Sequence, residues 1–248
     1  MKRRIFSSLV IQSLYRNNKI FSQCLSMTAF LHSSNRLKNV ESLKNSYCAL
    51  RHGRSLANEA NIISSHPDIA TKSHGLSDVG QEQAIKAGLS LVEYYSLQNF
   101  DGIVILTSDY LRAKQTAEYV AKAVLSSNLP LWSNDIILET SLRERWFGDW
   151  DGGEDVHYPD VWKEDANNPD HTLRGVESVN SVMGRTTECI LTWDAQFVNH
   201  LILLVAHGDV LQITQAAFSK MDGSKHRDID HLETATLRPL TLMTYDIT

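Results

Sequence analysis

The chain has 248 residues, 42% of them hydrophobic, with 24 Lys or Arg, 29 Asp or Glu and a formal net charge of −5. This composition excludes disordered and collagen-like classes and provides enough apolar material for a sizeable core. The 3 cysteines, Cys24, Cys48 and Cys189, are scattered and lack metal-ligand spacing, which suits reduced thiols and not a disulfide framework.

The charge is unevenly spread. Residues 1–40 hold Lys2, Arg3, Arg4, Arg16, Lys19, Arg36 and Lys38 and no acidic residue. Serines are frequent there, and "IFSSLVIQSLYR" breaks any apolar run long before the roughly 20 residues a membrane span needs. Wound as a helix, Ile5, Leu9 and Leu14 share a face opposite Arg3 and Arg16. The expectation is a mitochondrial transit peptide over 1–40, with a plastid address or a disordered segment on a cytoplasmic protein as alternatives. The remainder then carries all 29 acidic residues against 17 basic ones, about −12. So acidic a body is not expected to bind nucleic acid, and an anionic substrate must be held by a local cluster of positive charge.

Beyond residue 45, "YCAL" (47–50) is an apolar run of strand length. A helix is predicted over 78–95, capped by Ser77 or Asp78, with Ala84, Ala87, Leu91, Val92 and Tyr95 on one face. "GIVILTS" (102–108) is a buried strand, and 110–125 a helix with Ala117, Val120, Ala121 and Val124 inward. A strand is expected over 135–140, then a long polar loop or insertion over 151–175. Helix resumes over 176–197, followed by a buried strand (201–207) and a short helix (209–219). The segment 237–247 reads as a closing strand, at an edge because Pro239 has no ladder donor. The alternation predicts one α/β domain over 45–248, with a largely parallel central sheet and helices on both faces.

The chemistry collects just after these strands. Arg51, His52 and Gly53 follow the first; Ser108 and, a turn later, Arg112 follow the second; Arg143, Glu144 and Arg145 follow the third; His207 and Gly208 follow the fourth. Open α/β sheets bind ligands at the carboxyl ends of their strands, so these side chains are expected at one edge. Arginine forks grip phosphate bidentately, and a neutral imidazole can attack phosphorus. A second imidazole, protonated when the dianion is bound, can stabilise building charge, and one carboxyl can protonate the leaving oxygen. With no Walker-type loop and no metal-ligand spacing, ATP- and metal-dependent schemes are not expected.

The chain here resembles the histidine phosphatase, or phosphoglycerate mutase-like, superfamily. "LRHGRSLAN" carries its Arg-His-Gly and later Asn (Asn58), and "GLSDVGQEQAIKAG" (75–88) resembles its second segment. "TSDYLRAKQTAE" (107–118), "LRERWFGDWDG" (142–152), "GVESVNSVMGR" (175–185) and "VAHGDVL" (205–211) follow in the family's order. The resemblance implies a phosphoglycerate mutase-like fold and a catalytic core of Arg51, His52, Arg112, Glu144 and His207. In it His52 is transiently phosphorylated, Glu144 donates the proton, and no metal or organic cofactor is implied.

A metal-independent phosphomonoesterase is therefore expected, acting on a small phosphorylated metabolite or a phosphoprotein. Phosphoglycerate mutase-type transfer and a non-catalytic phospho-ligand or protein-binding module are the alternatives. Residues 59–74 lack the mutase-like Thr-Gly-Trp stretch, and the segment after Glu144 offers Arg145, Lys163 and Arg174 but no Arg-Arg pair. Substrate contacts are expected from Arg51, Arg112, Asn58, Gly208 and Arg54, the last being either a third anion contact or a surface charge. The loop "RWFGDWDGGEDVHYPDVW" would disfavour polyanionic substrates, with Trp146 and Trp150 either stacking on a ring or packing at the surface. No signal for oligomeric state is present.

Overall fold

The computed structural model describes residues 34–244. Most of the expected transit peptide, and Cys24 with it, lies outside the described residues. Its expected boundary at residue 40, however, falls within the folded body. Leu37 is fully buried in the core, and Asn35 Nδ2 donates to the Ala217 carbonyl at 3.0 Å.

The elements run β1 (Ser46–Arg51), α1 (Leu56–Ala60), α2 (Pro67–Ala70), α3 (Asp78–Ser96), β2 (Gly102–Thr107), α4 (Leu111–Ser126) and β3 (Ile137–Leu138). They continue with α5 (Tyr158–Asn167), α6 (Val179–Asp194), β4 (His200–Ala206), α7 (Gly208–Phe218) and β5 (Leu237–Leu240). The sheet order is β3-β2-β4-β1-β5, parallel throughout except for β5, which runs antiparallel to β1 at the edge. Pro239 sits in that edge strand, where a missing donor is tolerated.

Strand alternation sorts the core into two layers. Tyr47, Ala49, Val104, Leu106, Ile202 and Leu204 face α6 and α7. Cys48, Leu50, Ile103, Ile105, Leu201 and Leu203 face α3 and α4. Burial pushes the Cys48 and Cys189 thiols up to about 12, so both are inert packing groups.

Three expectations need correction. The strand expected over 135–140 contracts to two residues, Ile137–Leu138, because only these pair with β2. The closing strand ends at Leu240, not 247. The expected loop over 151–175 contains the ten-residue helix α5. Its inward positions are Val161 and Asp165, so a buried carboxylate stands where the apolar stripe would continue.

Candidate active site

Register brings the site together. In the parallel β1–β4 pair Arg51 lies opposite Ala206, and His52 N donates to the Ala206 carbonyl at 3.0 Å. The next residues, His52 and His207, therefore leave the sheet side by side, with ring centroids 5.1 Å apart and edge to face. The end of β2 lies against β4 through Ser108 N on the Val205 carbonyl, and Ser108 Oγ lies 3.0 Å from His207 Nε2.

His52 is nearly fully buried and its hydrogen bonds fix its tautomer. The Gly53 carbonyl, 2.7 Å from Nδ1, can only accept, so Nδ1 carries the hydrogen. Nε2 keeps its lone pair, which accepts from Arg112 Nε at 3.1 Å. Burial, then the charges of Arg112 and Arg51, hold this imidazole well below its usual pKa, so it stays neutral. His207 is likewise pushed down, by burial and then by Arg112. Protonation of His207 would thus need the field of a bound dianion, which acts in the opposite direction.

The two arginines are anchored by backbone. Arg112, in the first turn of α4 and 4% exposed, donates through Nη2 to the Ser64 carbonyl at 2.9 Å. The segment carrying Ser64 is itself tied down. Asp151 Oδ1 accepts from Ser65 N at 2.6 Å and His66 N at 3.0 Å, while Tyr110 Oη donates to the Ser65 carbonyl at 2.5 Å. Arg51 Nη1 donates to the Leu232 carbonyl at 3.0 Å and to His231 Nε2 at 2.7 Å. Three of the buried side-chain nitrogens without a hydrogen-bond partner lie here: Arg51 Nε, Arg112 Nη1 and His207 Nδ1. Such groups are costly in isolation, and all three surround His52, so the arrangement is built for an anion.

Arg51, His52, Ser64 and Arg112 line a cavity of about 220 Å³ together with Asn58, Glu144, Tyr158, Trp162, Asp209 and Arg227, while His207, packed edge-on to His52, is not among its lining residues. Burial, then the nearby Asp209 carboxylate, push the Glu144 carboxyl up to about 7, against the opposing pull of Arg112 and Arg51. Asn58 lines the wall, with its Oδ1 engaged in capping α1 by accepting from Ser55 N at 3.0 Å. Gly208 also lines it; a Cβ there would come within 3.3 Å of the Arg51 guanidinium carbon and 3.2 Å of His231. The glycine at 53 has a different purpose. A Cβ would sit 2.4 Å from the Gly80 carbonyl oxygen, so this close approach seats the start of α3 against the loop.

Other expected contacts lie elsewhere. Arg54 is turned away from the cavity, its side chain 49% exposed and 3.6 Å from Glu59, which corrects its placement among the substrate contacts. Arg143 is held bidentately by Asp109 at 2.8 and 2.6 Å. Arg145, fully buried, is forked onto Asp165 at 2.7 Å through both terminal nitrogens and reaches Asp209 at 3.1 Å. Lys163 and Arg174 line a separate shallow groove with Trp150. Trp146 packs edge-on to His66 and Trp150 stacks on His157, so both pack within the protein.

The sequence reading missed Ser64, Tyr158, Trp162, Asp209, Arg227 and His231. Asp209 alone had a visible signal, being the residue after Gly208 at a strand end. Tyr158 and Trp162 stack 5.5 Å apart one turn along α5, the helix hidden in the polar segment. Among the described residues no group of three or more His, Cys, Asp or Glu is placed to hold a metal ion, and no helix is long and apolar enough to cross a membrane.

A parallel-sheet α/β domain with paired imidazoles and buried arginines at its carboxyl edge defines a class of phosphate-handling protein. The chain belongs to the histidine phosphatase superfamily (branch 1), whose family model matches residues 47–246. Among solved structures, a mycobacterial glucosyl-3-phosphoglycerate phosphatase superposes with a TM-score of 0.62 at 22% identity, covering 78% of this chain and 88% of that one. YhfR of Bacillus stearothermophilus superposes with a TM-score of 0.60 at 20% identity, covering 81% and 95%. These likenesses speak to the fold. No curated protein sequence matches the chain.

Proposed function

We propose that this chain is a metal-independent phosphomonoesterase working through a phosphohistidine on His52. The observation that carries the reading is the set of three unpartnered buried nitrogens, Arg51 Nε, Arg112 Nη1 and His207 Nδ1, around an imidazole whose lone pair is on Nε2.

A phosphate monoester seated between Arg51 and Arg112 takes the guanidinium hydrogens, including the one that Arg112 Nε gives to His52. That frees the Nε2 lone pair to attack phosphorus. The ester P–O bond breaks as the N–P bond forms, and Glu144 passes its proton to the departing oxygen. His207 stabilises the charge on the equatorial oxygens. Water then attacks the phosphohistidine, Glu144 takes a proton from it, the N–P bond breaks and inorganic phosphate leaves.

Two features support hydrolysis over mutase-type transfer or passive binding. Arg145, Lys163 and Arg174, the cations that the segment just after Glu144 offers for a substrate carboxylate, lie in an internal ion pair or in another groove. Glu144 lines the cavity, where a binding module would have no use for a proton donor. The full chain is expected to hydrolyse a chromogenic phosphate ester in the presence of EDTA, and His52→Ala to lose that activity. Full activity in the variant would overturn the mechanism.

A further inference from the structure

Past the phosphate clamp, the cavity wall has an unusual charge state. Arg227, the remaining arginine there, is paired with Asp209: its guanidinium lies 3.6 Å above the Trp162 ring, and its Nη1 donates to Gln212 Oε1 and stands 3.5 Å from Asp209 Oδ1. His231 is a hydrogen-bond acceptor for Arg51, and burial followed by the Arg51 charge holds it below its usual pKa, so it adds no cation. Asp209 is saturated by Trp162 Nε1 at 3.0 Å and Arg145 Nη1 at 3.1 Å. On this wall the Tyr158 hydroxyl and the Asp155 carboxylate have no hydrogen-bond partner among the described residues. Asp155 is also fixed in place, since its N–H donates to the Asn61 carbonyl at 2.9 Å beside the bridge between Ile62 and Glu154.

We infer that the site selects compact phosphomonoesters whose leaving group carries hydroxyl or ammonium donors and no second anionic group, with Asp155 as the residue that rejects the second anion. This deepens the phosphatase reading and rests on it. A cavity of about 220 Å³ that also holds the phosphate leaves room for only a small leaving group. A hydroxyl on that group can donate to the Asp155 carboxylate and its carbon face can lie against Tyr158. A carboxylate or second phosphate meets the Asp155 charge, which no ion pair offsets, while the Arg227 charge on the same wall is already paired with Asp209, in a partly desolvated setting that strengthens repulsion. The acidic and aromatic stretch after Glu144 thereby acquires a definite task, and that task falls to Asp155 and Tyr158 in place of Trp146 and Trp150.

The test uses the full chain and two probes of nearly equal size, glycerol 3-phosphate and 3-phosphoglycerate, which differ by a hydroxymethyl in place of a carboxylate. The readout is the ratio of their kcat/KM values, which cancels any loss of folded protein. The wild type is expected to favour glycerol 3-phosphate by on the order of tenfold or more. Asp155→Asn should narrow the ratio, and Asp155→Lys should narrow it further or reverse it. A wild-type ratio near one, a preference for 3-phosphoglycerate, or a ratio unmoved in Asp155→Lys would overturn the inference. Turnover of an aryl phosphate with neither probe accepted would overturn it while leaving the phosphatase reading intact. No turnover of any phosphate ester would overturn that reading, and the inference with it.

Discussion

At the scale of single residues, the chemistry turns on what burial does to two kinds of group. It keeps the His52 imidazole neutral and nucleophilic, and it keeps the Glu144 carboxyl protonated up to about 7. The acid must be protonated in the first step, so kcat/KM for an alkyl phosphate is expected to fall as pH rises through about 7, where Glu144 ionises. A bound dianion raises this carboxyl further, placing the alkaline limb of kcat above that of kcat/KM. Glu144→Gln should abolish the limb and lower kcat/KM by ~10²–10⁴-fold. A wild-type kcat/KM that climbs steadily into the alkaline range would show that Glu144 is not the acid. Arg51, His52, Arg112, Glu144 and His207 were legible as candidates because each was expected at or shortly after a strand end, and the structure brings them together at one sheet edge. Arg54 and Arg145 share that placement and yet lie outside the cavity. Nothing local to Arg145 announces its partners, which stand 20 and 64 residues further along the chain. Arg54 faces Glu59 because Gly53 commits the backbone there to contact with Gly80.

At the scale of elements, apolar runs and 3.6-residue periodicity located β1, β2, β4 and the helices α3, α4, α6 and α7 to within a few residues. The failures have physical causes. β3 is a two-residue pairing, too short for any pattern, and α5 turns toward the protein a carboxylate already neutralised by Arg145. The segment 34–40 was assigned to the leader by its charge, yet Leu37 is inserted into the layer formed with α6 and α7. Deleting a buried leucine side chain costs about 2–5 kcal/mol through lost transfer energy and the cavity left behind. Leu37→Ala, and a chain beginning at residue 41, should therefore unfold at lower denaturant than a chain beginning at residue 34. Equal midpoints in chemical denaturation would show that this segment is not part of the cooperative unit.

At the scale of the whole molecule, a body of about −12 beyond residue 40 concentrates positive charge at one sheet edge, as the proposed phosphate site requires. The parallel register of β1, β4 and β2 makes that possible, since it delivers His52, His207 and Ser108 together from positions as much as 155 residues apart in the numbering. The unpartnered buried nitrogens at this point support the proposed anion site, and the central claim is that the phosphoryl group passes through His52. The most direct measurement is to mix the full chain with an aryl phosphate labelled at phosphorus, whose ready departure leaves breakdown of the phosphoenzyme as the slower step. The mixture is quenched in alkaline denaturant and the label is mapped. The account predicts acid-labile, alkali-stable label on His52, formed in the presence of EDTA and absent from His52→Ala. Label on a different residue, or undiminished turnover by His52→Ala, would contradict it.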